Sequence, residues 1–564
     1  MMEKRVVVFL LLSLAIIFGY DYVLKEMGWL PLPVETSQES PSSPSSPSTD
    51  QLSTPATQSQ PTASVRTSGD DTATASSDPY ENRPPSTEQT VEINTPLYRA
   101  KLSNRGAVLT SWELKQYRTA AGDQTLVQLV RQGSKFPSPL AVTASDSSLS
   151  KLLNAGLYSV TQDFTALDSG HPIGHVTLRY QDPSGMFHLE KQLTFHADSY
   201  LVDIAVNSSG LDGTIQIGLG TNFGIVEWGE GMIGQIGSAS LVDGKVEKDT
   251  PDSESERGGM IQWLALQDKY FLSVLIPKHA SSVLVKKEGD RLVSARVAMP
   301  VAPSGSALML QLYAGPKEYD TLRALQIGLE DTIDFGWFIF GSWSVVKAVA
   351  KPLFYVLRFI NDFTHNFGVT IVLLTMMLKL IFVPLQFKSY KSMKQMQVIQ
   401  PKVLAIQEKY KDDRDRLNKE LIKLYRDHKV NPVGGCLPMV LQMPVFVALF
   451  NILYMTIDLR QAPFMGWITD LSVQDPYYVL PIIMGATMIL QQKITPTTMD
   501  PTQAKIMLIL PAFMTFLFIN FPAGLVLYWL TNNVLTISQQ LITDRVVFAN
   551  RPVLEHVDDV KGKK

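Results

Sequence analysis

Residues 368–387 read GVTIVLLTMMLKLIFVPLQF, and Lys379 is the only charge in this run. Twenty apolar-dominated residues are long enough to cross a bilayer as a helix. A basic residue near the centre of such a helix costs roughly 2.5–3.5 kcal/mol on insertion scales. Lys379 lies nine residues before Lys388. At ~1.5 Å per residue that is ~13 Å from the basic end, far for an unaided lysine to reach the headgroups. The expectation is a lysine facing water inside the bilayer, where charged residues mark function.

Outward from this run, the 564-residue chain divides into two unlike parts. Its net charge of -3 averages over both and excludes little. Cys436 is the single cysteine, so no intrachain disulfide can form. At the N-terminus, Lys4 and Arg5 precede an apolar run from Val6 to about Leu24, followed by YDYVLKEMGWLPLP rather than a small-residue cleavage site. This reads as an uncleaved signal anchor (1–33) with a cytoplasmic start. Residues 34–92 are dominated by Ser, Thr, Pro and Gln and read as a disordered linker.

Residues 93–330 change pattern to short alternating runs such as HVTLRYQD, FHLEKQLTFH, LVDIAVNSS, TIQIGLG, SVLVKKE and ALMLQLYAG. Period-two alternation broken by Gly, Asn, Asp and Ser predicts an antiparallel β-sandwich, and its position after the anchor predicts a location outside the cytoplasm. The HPIGH segment is no helical metal pair, because Pro172 and Gly174 break a helix; no metal or cofactor is expected. Residues 331–366 are amphipathic, with Trp337, Phe338, Ile339, Phe340 and Trp343 at the start and Lys347, Lys351 and Arg358 on one face. They suit a helix lying in the membrane interface, or one packed on the sandwich.

Five apolar spans follow, expected at 367–387, 433–455, 477–492, 506–521 and 523–542. Together with the anchor they give six transmembrane helices and cytoplasmic termini. The loop charges agree: residues 388–429 carry 12 Lys and Arg against six Asp and Glu, while Arg460 is the only basic residue of 456–476. Within 388–429, apolar residues at helical spacing on both sides of Lys411, Asp412 and Asp413 predict a two-helix cytoplasmic hairpin, its first arm bent or interrupted at Pro401. Its basic residues, Lys402, Lys409, Arg414, Arg416, Lys419 and Lys423 among them, suit anionic lipid headgroups or ribosomal RNA. No base-reading motif appears, so no sequence-specific nucleic acid is expected. Residues 367–545 thus read as a five-helix core, and 546–564 as a basic cytoplasmic tail.

Polar residues recur in the spans: Thr375 one turn before Lys379, Gln442 in the next span, and Tyr528, Asn532 and Thr536 in the last. Buried polar groups seek partners or water, so Lys379, Thr375 and Gln442 are expected to share a wet groove. No carboxylate lies inside the five spans, which weakens an ion-coupled transporter. Neither a phosphate loop nor a nucleophile constellation is legible.

The segments KVNPVGGCLPMVLQMPVFVALF (429–450), LRQAPFMGWITDLSVQDPYYVLPIIMG (459–485) and FPAGLVLYWLTNNVLTISQQ (521–540) resemble the YidC membrane-protein insertase family. The resemblance covers the whole chain and implies an inner-membrane protein that is not an enzyme. Its partners would be nascent membrane proteins, the ribosome, the Sec translocon and anionic lipids. The resemblance places the family's groove arginine at Lys379, its groove threonine at Thr375 and its aromatic pair at Tyr528 and Trp529. Lysine preserves the charge and loses the planar fork. Two other readings stay open: a solute transporter, testable by transport in liposomes, and a membrane-anchored carbohydrate-binding or carbohydrate-modifying protein, testable by the isolated β-domain acting on sugars.

Overall fold

The computed structural model describes residues 87–548, apart from 121–122, 132, 134–135, 212, 227–235, 251, 302–306, 334–343, 429, 432–436 and 495–500. The anchor, most of the linker, Cys436 and the C-terminal tail lie outside the described residues. The β-region begins with a strand at Thr90–Asn94 and continues to Leu308–Pro316. Its strands form three sheets, of four, five and nine strands. Every pairing between these strands is antiparallel. The six alternating runs quoted above all fall on strands; in Ile173–Gln181 every second residue is buried, from Gly174 to Tyr180. Such alternation is what a sheet with one face on the core requires.

Tyr98 and Trp112 stack at 4.1 Å in the core, and Trp263 donates through Nε1 to Ile327 O at 3.1 Å. His175 of HPIGH bonds with Thr194, and His196 on the neighbouring strand bonds with Asp203. Lys191 is 1% exposed. Its Nζ donates to Ala107 O at 2.9 Å and Leu140 O at 2.7 Å, and reaches Gly106 O at 3.3 Å. Burial pushes its ammonium down to about 7.

Helices α1 (Ser147–Ala155) and α2 (Tyr319–Ala324) belong to the β-region. The helical part comprises α3 (Ser344–Thr364), α4 (Phe367–Lys409), α5 (Arg414–Asp427), α6 (Leu437–Met455), α7 (Val479–Ile494), α8 (Pro501–Phe518) and α9 (Ala523–Ile542). Among the described residues, α4 alone is long and apolar enough by itself to cross a membrane; residues 441–455, 479–494 and 509–518 are shorter apolar stretches.

One expectation changes here. The span at 367–387 and the first arm of the hairpin are one uninterrupted 43-residue helix through Pro384 and Pro401. Pro401 carries no break because the helix around it is held by packing: Ile399 and Val403 are buried against Met396, Leu421, Leu424 and Tyr425. In α3, Lys351 and Arg358 face carboxylates of the chain itself, Asp331 at 3.7 Å and Asp320 at 2.6 Å. Tyr319 of α2 packs edge-on to Phe354 at 5.3 Å, so α3 contacts the segment that follows the last strand while it packs on α4 and α6. Phe359 and Phe363 of the same helix remain exposed.

Candidate functional site

Helix α4 positions Lys379. Asn366 caps it, accepting from Val369 N at 3.0 Å and donating through Nδ2 to Phe464 O at 3.0 Å. Gly368 lets the Phe464 ring close over the helix start; a Cβ there would stand 2.1 Å from the ring. From this fixed end three turns carry Lys379 inward. Its side chain is 7% exposed, while the next two residues, Leu380 and Ile381, are 66% and 61% exposed. The apolar neighbours face outward and the charge faces the helices.

Lys379 lines a cavity of about 360 Å³ that opens to the surface. From α6 come Gln442, Met443 and Phe446; from α9 come Tyr528, Trp529, Asn532 and Thr536. Gln491 of α7 completes that wall. Further along α4 are Gln386, Ser389, Tyr390 and Met393. Lys379 Nζ donates to Thr536 Oγ1 at 2.7 Å, and that hydroxyl donates to Asn532 O at 2.6 Å. Among the described residues no carboxylate pairs with Lys379. The floor is aromatic: Phe446 meets Trp529 edge-on at 5.1 Å and Tyr528 at 6.2 Å, and Phe518 lies 4.8 Å from Trp529.

Six of the seven sequence-expected groove residues therefore meet: Lys379, Gln442, Tyr528, Trp529, Asn532 and Thr536. Thr375 does not line the cavity. It is 2% exposed, and its hydroxyl donates to Ile371 O at 2.6 Å within its own helix. One helical turn shifts a residue by about 40° when the spacing is four, enough to turn a short side chain from the cavity wall into the helix contact. The sequence reading missed Gln386, Ser389, Tyr390, Met393 and Gln491. The first four continue the Lys379 face at helical spacing; Gln386 lies within the expected span, and Ser389, Tyr390 and Met393 lie past its end at Phe387. Gln540, by contrast, bonds across helices to Ile494 O at 2.8 Å.

The expected hairpin residues sit on α4 and α5. Lys402 Nζ lies 2.9 Å from His428 Nε2, and Lys409 and Arg416 stand 5.3 and 6.0 Å from the Tyr410 ring. Lys419 and Lys423 are exposed, and the Arg414 side chain lies outside the described residues.

The segment 456–476 folds over the starts of α4 and α9. Val473 O accepts from Ala523 N at 2.7 Å and Leu471 O from Gly524 N at 2.9 Å. Burial pushes the Asp458 carboxyl up to about 6, with Arg358 pulling the other way.

Residues 90–356 match the YidC periplasmic domain, and residues 359–550 match the family described as 60Kd inner membrane protein. A membrane protein insertase YidC of Geotalea daltonii is 38% identical, over 96% of this chain and 98% of the relative. That of Syntrophus aciditrophicus is 37% identical, over 96% and 99%. The chain belongs to the YidC membrane protein insertase family. The two matched YidC regions meet between the β-region and the helical part, within α3. A crystal structure described as an active YidC insertase is 18% identical with a TM-score of 0.34, covering 81% of this chain and 92% of that one. In this YidC-family chain the charge of the cavity rests on a lysine.

Proposed function

We propose that this chain inserts newly made membrane proteins, by receiving their hydrophilic flank in the Lys379 cavity. The observation that carries this reading is a buried cation, held by a hydroxyl, in an open cavity among apolar helices. At 4 Å and an effective dielectric near 20, opposite charges attract by about 4 kcal/mol. Desolvation reduces this considerably. The remainder receives an acidic segment briefly without trapping it. The client's transmembrane segment moves along the apolar outer faces of the helices into lipid, driven by about 25 cal/mol per Å² of apolar burial. The membrane potential adds about 2.3 kcal/mol per charge per 100 mV for acidic tails moving outward.

In this reading the anchor and five further spans cross the inner membrane, with both termini and the α4–α5 hairpin in the cytoplasm and the β-domain in the periplasm. The basic hairpin meets ribosomes and anionic lipid, and the Sec translocon is a partner for larger clients. The protein acts without catalysis.

The test is complementation. Native protein is depleted, and wild type, Lys379→Ala or Lys379→Arg is supplied. Insertion of a single-span protein with an acidic tail is then followed. Lys379→Ala is expected to slow insertion severalfold, and Lys379→Arg to stay near wild type. Equal insertion by all three would remove the groove charge from the mechanism.

A further inference from the structure

Lys379 offers only donors. A polypeptide segment in a water-poor cavity brings one N–H per residue, and each needs an acceptor. Two side-chain oxygens on the cavity wall are buried without a hydrogen-bond partner: Gln386 Oε1 and Asn532 Oδ1. They stand on facing helices, α4 and α9, and Gln386 is only 8% exposed. An orphaned buried acceptor is unfavourable, so native proteins usually satisfy such groups.

Their placement relative to Lys379 is specific. Asn532 precedes by one turn Thr536, whose hydroxyl holds Lys379 Nζ at 2.7 Å. Gln386 follows Lys379 by seven residues on α4, about 10 Å along the axis. An extended chain covers that span in about three residues. The terminal torsion of an amide side chain is broad, so either oxygen can turn to face the cavity.

We propose that Gln386 and Asn532 accept hydrogen bonds from main-chain N–H groups of an extended client segment whose acidic side chain meets Lys379. The inference rests on the insertase reading and adds a recognition element that is independent of client sequence. A carboxylate is read by the lysine, and the peptide backbone is read by the two amides. Because every polypeptide carries the same N–H groups, the amides serve clients of unlike sequence.

The experiment uses the full chain in lipid nanodiscs and a fluorescent acidic peptide in three versions. One is unmodified. One has its acidic side chains replaced by amides. One has backbone esters in place of amides two to four residues from the acid, which deletes N–H donors. The ester peptide is expected to bind wild type roughly threefold to tenfold more weakly per lost bond. The Gln386→Met, Asn532→Leu double variant is expected to bind the unmodified peptide that weakly and to ignore the ester change. Equal binding of ester and unmodified peptides by wild type overturns the proposal and leaves ordered water as the occupant. A full ester penalty retained in the double variant overturns it too. The wild-type comparison decides even if the variant fails to fold. The amide side-chain peptide reports separately on Lys379: if it binds as well as the acidic one, the charge reading fails, whatever the ester result.

Discussion

Lys379 and Lys191 are buried for different reasons. Lys379 sits at a cavity, and its ammonium is held by one hydroxyl. Lys191 sits in a closed β-core, where carbonyls of two separate loops surround it. Its folded-state value is lowered from 10.5 to about 7. Between those limits the unfolded chain holds a proton that the folded chain lacks, so stability rises with pH across that window. Unfolding midpoints of the full chain at about pH 7 and about pH 9.5 should therefore rise more for wild type than for Lys191→Met. Parallel slopes for the two proteins would show that Lys191 stays protonated in its carbonyl cage. Above about pH 10.5, where the penalty for losing that proton on folding has gone, the substitution should lower stability, because Ala107 O and Leu140 O lose a donor.

Helix α4 decides the shape of the cavity. Its 43 residues span about 65 Å, roughly twice a hydrocarbon core. The Lys379 face therefore continues through Gln386 and past the apolar run to Tyr390 and Met393. Its extension is held at the base by Ser392 Oγ donating to Asn431 O at 2.8 Å and by Lys394 paired with Asp544 at 2.5 Å. At the far tip Asp413 caps α5, accepting from Arg416 N at 3.1 Å. Removing such a cap costs about 1 kcal/mol. Asp413→Ala should speed amide exchange in the first turns of α5 by roughly fivefold, leaving α4 unchanged. Unchanged protection throughout α5 would mean that packing on α4, not the cap, holds this arm. Close packing of α7 on α8 depends on Gly485, where a Cβ would stand 3.2 Å from Thr515 Cβ and 2.0 Å from its hydroxyl. Gly485→Leu should lower the amount of folded protein, and Thr515→Ala should partly restore it; no restoration would place the conflict elsewhere.

At the scale of the molecule, the β-region and the helical part are joined by more than α3. Arg460 Nη2 donates to Arg118 O at 2.9 Å and Thr119 O at 3.1 Å, and Gln461 Nε2 donates to Arg118 O at 2.7 Å. Arg460 also lies 5.3 Å from the Tyr270 ring, and Lys269 lies 3.7 Å from that of Tyr454. Gln461 holds this position with a left-handed φ of 57°. The 456–476 segment is thus tied to the β-region on one side and to the ends of α4 and α9 on the other. Arg460→Ala with Gln461→Ala should weaken this docking by roughly 1–3 kcal/mol and increase protease cleavage within 456–476. Cleavage at the wild-type rate would show that α3 alone sets the arrangement.

Much of this was legible in the sequence because the signals are local. Period-two alternation marked the strands, a lone lysine in an apolar run marked the cavity, and the break at Lys411, Asp412 and Asp413 marked the start of α5. Less legible were features that depend on what lies across a helix contact. Thr375 and Lys379 are one turn apart, yet one bonds to its own helix and the other faces the cavity. Pro401 is a helix breaker by its own chemistry, yet it lies inside α4 because Ile399 and Val403 are packed against α5. Lys351 and Arg358 have the spacing of headgroup contacts, yet they pair with Asp331 and Asp320. The sequence by itself determined the apolar runs, the alternation and the lone charge of the 368–387 run, because each depends on the chain's own periodicity and solvation. Only the tertiary structure decided which polar groups share the cavity and which are spent in helix contacts. Partners far apart in sequence, such as Lys379 and Thr536, meet only through packing.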